Sequence, residues 1–221
     1  MAKIKQPEVV QVQSMGKRLE GLLDIPSGAT GIVLFAHGSG SSRHSPRNHF
    51  VAEVLREGRL ATLLFDLLTP DEESEDLATR AIRFDIELLA GRVLGAIEWL
   101  SSYEKTSSLP IGLFGASTGA AAALIAAATR PREVQAVVSR GGRPDLADVW
   151  LGRVEAPTLL IVGGADHLVL DLNKEALEAL NCEKRLEVIP GATHLFEEPG
   201  TLKSAATAAR TWFQDHLHEL S

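Results

Sequence analysis

The chemistry in this sequence centres on Ser117, in the run Gly112-Leu113-Phe114-Gly115-Ala116-Ser117-Thr118-Gly119, where an apolar strand enters a GxSxG pattern and an alanine-rich segment leaves it. A serine on a sharp strand-to-helix turn presents its hydroxyl at the C-terminal edge of a sheet. Glycines on either side remove Cβ atoms that would strike the neighbouring strand and helix. The helix that follows aims unbonded N–H groups and the positive end of its dipole at the place where the oxyanion of an acyl transfer would form. GxSxG alone also describes a small-residue turn where a helix packs closely on a sheet. The strand before it and the helix after it favour a nucleophile.

A serine nucleophile needs an imidazole to take its proton and a carboxylate to orient that imidazole. Asp166 follows the apolar run Thr158–Val162 through Gly163-Gly164-Ala165, and His194 follows Leu186–Ile189 through Pro190-Gly191-Ala192-Thr193. Both are therefore expected on loops at the C-terminal ends of successive strands. Asp145, after the run Val134–Val138, is the rival acid. His167 adjoins Asp166, and because adjacent side chains cannot both face one imidazole, it is assigned to the surface.

Acyl transfer also needs two preorganised donors on the oxyanion. The glycine-rich segment Ala36-His37-Gly38-Ser39-Gly40-Ser41-Ser42 follows the first central strand, and the expected donors are the backbone N–H groups of Thr118 and Ser39. His37, at the strand-end turn, is read as a structural imidazole bonded to the loop backbone rather than as the base. Beyond it, Ser45 fits a helix N-cap with Pro46 at the first helical position. Arg43, Arg140 and Arg143 are the candidates to bind a substrate carboxylate in bidentate fashion; the competing expectation is that they pair with acids such as Asp145 or Asp148.

These residues can meet only if several elements bring them to one rim. Val9–Gln13 and Arg18–Ile25 read as a hairpin turning at Met15-Gly16-Lys17. Apolar strands at Ile32–Ala36, Leu60–Phe65, Ile111–Phe114, Val134–Val138, Thr158–Val162 and Arg185–Ile189 then alternate with helical patterns. The helices are expected near Asn48–Glu57, Leu77–Leu100, Gly119–Thr129, Leu172–Leu180 and Leu202–Leu217. Strands this apolar need helices on both faces, which predicts a doubly wound, mostly parallel α/β sheet with an antiparallel N-terminal hairpin. The acidic stretch Asp71–Asp76 is expected as a solvated loop leading into a helix.

At 221 residues and 45% hydrophobic, the chain is long enough for one sizeable core, and a single domain over 1–221 is expected. A formal charge of −7 with no basic stripe argues against a nucleic-acid partner. The segment Met1–Pro7 carries two positive charges but no apolar run of the kind an export signal needs, and the apolar stretch Ala120–Ala128 is too short to span a bilayer. With a single cysteine, Cys182, a cytoplasmic protein that does not engage membranes is expected. No cluster shows metal-ligand spacing and no GxGxxG follows a strand, so no metal or cofactor is inferred.

Together, His37-Gly38-Ser39-Gly40, Gly115-Ala116-Ser117-Thr118-Gly119, Gly163-Gly164-Ala165-Asp166 and Gly191-Ala192-Thr193-His194 resemble the dienelactone hydrolase branch of the α/β-hydrolase superfamily, from about Gly31 onward. The chain order Ser, Asp, His is the order of that superfamily. Dienelactone hydrolases proper carry cysteine at the nucleophile, where this sequence has Ser117. The resemblance implies a metal-free serine hydrolase that cleaves small carboxylic esters or lactones through an acyl-enzyme. Lid insertions in the superfamily follow the strand that here ends at Val138, and Ser139–Ala156 has room for one short helix. Minimal or no lid, an open pocket and short-chain esters are therefore expected. A thioesterase or peptidase with the same triad, or a non-catalytic module on the same fold, remain as alternatives at this stage.

Overall fold

The computed structural model describes residues 7–218, so residues 1–6 of the segment read for an export signal lie outside the described residues. The hairpin forms as expected: β1 (Glu8–Ser14) and β2 (Lys17–Asp24) pair antiparallel across a two-residue turn. Met15 at φ 49° and Gly16 at φ 71° give that turn the two positive φ values that match strand twist. Six parallel strands follow: β3 (Gly31–Ala36), β4 (Leu60–Phe65), β5 (Ile111–Ala116), β6 (Val134–Arg140), β7 (Thr158–Gly163) and β8 (Lys184–Ile189). The sheet order is β1-β2-β4-β3-β5-β6-β7-β8.

The chain steps from β3 to β4 on one side and then returns to place β5 on the other side of β3. The loops leaving β3 and β5 therefore diverge at a topological switch point, the crevice where open α/β sheets bind ligands. Helices cover both faces. α1 (Pro46–Glu57) and α6 (Thr201–His216) enclose one apolar layer with Phe35, Phe114 and Phe213, while α3 (Ile86–Ser102), α4 (Thr118–Thr129) and α5 (His167–Ala179) enclose the other with Leu34, Leu113 and Leu160. Strands β3, β4, β5 and β7 are buried at every residue, which is why they read as continuous apolar runs rather than alternating ones.

Two expectations are corrected. The single helix over Leu77–Leu100 is two helices, α2 (Pro70–Thr79) and α3, separated by a 3-10 turn at Ile82–Phe84. The acidic stretch is not a loop but the body of α2, which opens on a reciprocal cap between Thr69 and Glu72 with Asp71, Glu72 and Glu73 in its first turn. The break has two local causes. Asp85 caps α3 by accepting the Leu88 N–H, and Asp76 accepts the N–H and Nε–H of Arg83 at 2.8 and 2.7 Å, folding the chain back. Buried Arg92 ties α2 to the hairpin, donating to Glu72 Oε1 at 2.6 Å and to the Ser14 carbonyl at 3.1 Å. Between β6 and β7 lies only a short 3-10 segment, Pro144–Arg153. Among the described residues no helix is long and apolar enough to cross a membrane.

Candidate active site

Ser117 sits between β5 and α4 at φ 52°, ψ −126°, a conformation that costs a non-glycine residue about 1–3 kcal/mol and is kept only where the surroundings impose it. The glycines show how. A Cβ on Gly115 would lie 2.4 Å from the Ala120 Cα, and one on Gly119 would lie 2.2 Å from the Ala36 carbonyl oxygen. A Cβ on Gly38 would come within 2.8 Å of the Ser117 Cβ, so the loop after β3 presses directly on the serine. The Ser117 carbonyl accepts the Arg143 N–H at 3.0 Å, which fastens the turn to the loop leaving β6.

His194 Nδ1–H donates to Asp166 Oδ2 at 2.8 Å, leaving Nε2 as the nitrogen that can take a proton. Asp166 stands at the N-cap of α5 but makes no capping bond with its side chain, so its carboxylate is directed to the imidazole while resting at a positive helix end. The two loops are laced together by Gly164 N–H to Ile189 O and Ala165 N–H to Ala192 O, both 2.9 Å. Glu198 braces the histidine loop from below, accepting from the Thr193 hydroxyl at 2.6 Å and its N–H at 3.0 Å, and these bonds hold its carboxyl below the ordinary range. Gly141 closes the ring: a Cβ there would be 3.7 Å from His194 Nδ1, so Gly141–Arg143 touches the histidine at one end and the serine at the other. Asp145, the rival acid, is taken up by Arg143 in a fork of 2.9 and 2.7 Å, and His167 is exposed.

His37 is buried and bonded at both nitrogens. Nδ1–H donates to the Gly38 carbonyl and Nε2 accepts the Leu67 N–H, each at 3.0 Å, which fixes the neutral tautomer. Burial pushes its pKa down, against the opposing pull of the Gly38 bond and the charges of Asp66 and Glu73. It is a strut of the glycine-rich loop, not a base. The Thr118 N–H opens α4, where no carbonyl four residues back can receive it. The Ser39 N–H differs from expectation: it donates to Thr118 Oγ1 at 3.1 Å. Ser39 Oγ lies 3.0 Å from that hydroxyl and donates to the Arg83 carbonyl at 3.2 Å. Because a carbonyl can only accept, the proton order is set: Ser39 N–H to Thr118 Oγ1–H to Ser39 Oγ–H to Arg83 O.

The arginines divide. Arg43 is held by Asp66 and Glu20, and Arg143 by Asp145, so neither presents an open fork to a substrate carboxylate; nearby acids outcompeted that role. Arg140, 8% exposed, pairs with no carboxylate among the described residues. Burial, then the like charge of Arg47, pushes its pKa down to about 10. A groove is lined by Gly38–Ser42, Leu67, Leu77, Arg83 and Leu89, on the loop that approaches the serine through Gly38. The Thr118 hydroxyl, Asp76, Arg83, Phe196 and Glu198 are residues that sequence reasoning missed. None stands at a diagnostic spacing, since each acts through a side-chain contact that apolar periodicity does not report.

Comparison with known proteins agrees with this architecture. The profile of the dienelactone hydrolase family matches residues 19–219. A crystal structure of a dienelactone hydrolase from Anabaena variabilis is 60% identical and superposes with a TM-score of 0.94, covering 97% of this chain and 100% of that one. An α/β serine hydrolase without a lid from Xanthomonas campestris, 21% identical with a TM-score of 0.75 over 98% of this chain and 97% of that one, shares the fold. A Mycobacterium tuberculosis protein carrying the provisional name phosphoribosyl transferase is 59% identical over 210 residues, 95% of this chain but 46% of that protein, so the chain spans about half the length of that curated relative. On the profile match and these identities, the chain belongs to the dienelactone hydrolase family.

Proposed function

We propose that this chain, acting as a single α/β domain, hydrolyses small carboxylic esters or lactones through an acyl-enzyme on Ser117, with His194 as base and Asp166 as its orienting acid. The observation that carries the reading is the 2.8 Å bond from His194 Nδ1–H to Asp166, made on the same sheet rim as a serine held at φ 52°. In the first half, the Ser117 proton passes to His194 Nε2 as Oγ bonds to the carbonyl carbon. The carbonyl electron pair moves onto oxygen, facing the Thr118 amide at the start of α4, while the Ser39 amide is held by the Thr118 hydroxyl. Collapse breaks the bond to the alkoxide, which leaves with the proton from His194. In the second half a water gives its proton to the same nitrogen and attacks the acyl carbon; the bond to Ser117 Oγ then breaks, and Oγ takes that proton back from His194 as the acid leaves.

The groove beside the Ser39 loop is short, and the brief 3-10 segment after β6 gives it little cover, which supports short acyl chains over lipid-sized ones. A fluorophosphonate probe is expected to label Ser117, and 4-nitrophenyl acetate and butyrate to be turned over faster than the dodecanoate. Absence of labelling on folded protein would remove the reading, and a preference for the long chain would remove the short-acyl part of it.

Thr118 is a second point of test. Its hydroxyl accepts the Ser39 N–H and ties the glycine-rich loop to the turn that carries the Thr118 amide, so Thr118→Val is expected to lower kcat by about tenfold with KM nearly unchanged. Thr118→Ser should restore most of it. Steady-state kinetics check this, and a Thr118→Val enzyme with unchanged kcat would show that the relay does not serve the transition state.

A further inference from the structure

Arg140 ends β6 with its charge unanswered. Nη2 donates to Asn48 Oδ1 at a long 3.5 Å, while Nε and Nη1 are buried without any acceptor. The guanidinium lies 5.9 and 5.8 Å from the ring centres of Phe114 and Phe196, contacts that return only part of what burying an unpaired cation costs. The other buried arginine, Arg92, has its carboxylate in Glu72. The charge that acts on Arg140 from its surroundings is positive. Arg47 is the charge acting on it, and the nearest acid of Arg47, Glu197, is 3.8 Å away at an exposed position. The first turn of α1 brings Asn48 to Arg140 and contains no acidic residue.

We propose that Arg140, with Arg47 and the first turn of α1, receives a phosphate group carried by the substrate. Two guanidinium groups carry two positive charges, the buried one of Arg140 and the partly exposed one of Arg47, and a dianion answers both where a single carboxylate answers one. The place fits a substrate anchored at the serine: Arg140 pairs in register with Ala116, the residue before Ser117, and the next residue, Gly141, abuts His194. Phe196, whose ring centre lies 5.8 Å from the guanidinium, is held at φ 56°, a strained backbone value for phenylalanine. The inference rests on the ester-hydrolase reading for the rest of the substrate. Phosphate recognition itself can be measured without turnover.

Calorimetric titration of the whole chain with inorganic phosphate, phenyl phosphate and benzoate tests it. Phenyl phosphate is expected to bind at least about tenfold more tightly than benzoate, and Arg140→Met to weaken it by about tenfold or more, the scale of a lost charge-assisted fork. Arg140→Lys, which keeps charge without the fork, should fall between, and Arg47→Gln should weaken phosphate less. Melting adds a readout that separates binding from architecture. Removing an unpaired buried charge should leave the melting temperature of Arg140→Met equal to or above that of the parent, whereas a structural arginine would lower it. No heat with either phosphate, equal affinity in Arg140→Met, tighter binding of benzoate, or a marked drop in melting temperature with Arg140→Met and Arg140→Lys alike would each overturn the proposal. Failure of the ester reading is seen separately, as a parent protein whose Ser117 does not react with fluorophosphonate.

Discussion

Ser117→Ala is expected to abolish turnover of short 4-nitrophenyl esters, with kcat reduced on the order of 10⁴- to 10⁶-fold, because the proposed acyl-enzyme forms on its hydroxyl. Residual rate would come from the amides and the groove alone. The fold should be indifferent, since alanine keeps the Cβ that the backbone at φ 52° already tolerates. Ser117→Gly should be equally inactive yet at least as stable, because glycine occupies positive φ without strain, a gain offset in part by its freedom in the unfolded chain. Kinetics with thermal melting separate the cases. A Ser117→Ala protein that keeps more than a few per cent of parental activity would place the nucleophile elsewhere.

Asp166→Asn should be nearly as damaging, with kcat reduced about 10³- to 10⁴-fold, although the substitution removes only one charge and no volume. The carboxylate accepts the His194 Nδ1–H at 2.8 Å and so leaves Nε2 without a proton and able to take one. Asparagine can donate to Nδ1 instead, which moves the proton to Nε2 and leaves nothing to take the one from Ser117. Binding of substrate does not depend on this, so KM should change little. If Asp145→Asn proved the more harmful of the two, the acid would have been misassigned. The structure argues against that, because Arg143 already holds Asp145 at 2.7 Å.

Several features could be read before any coordinates, each for a physical reason. The six parallel strands were visible because sheets covered on both faces need unbroken apolar runs. The positions of Ser117, Asp166 and His194 were visible because each follows a strand through small residues that only a tight turn requires. Capping of α1 by Ser45 was equally local, a hydroxyl reaching an amide three residues on. The helix read across Leu77–Leu100 failed because apolar spacing runs through a break made by side chains. Asp76 and Arg83 are seven residues apart, and their bond outweighs the continuity of the pattern.

The sequence by itself determined what is set by neighbours along the chain: which segments are strands, where they end, and which chemistry-bearing residues stand at those ends. Only the tertiary structure decided which charges are answered and which are not. Arg43, Arg140 and Arg143 look alike as letters, yet two meet carboxylates and one is enclosed beside Phe114 and Phe196 with N–H groups left over. It also decided that the Ser39 amide meets the Thr118 hydroxyl from a loop 79 residues away. Such pairings depend on distances across loops, and distance across loops is a property of the packed chain that no local spacing encodes.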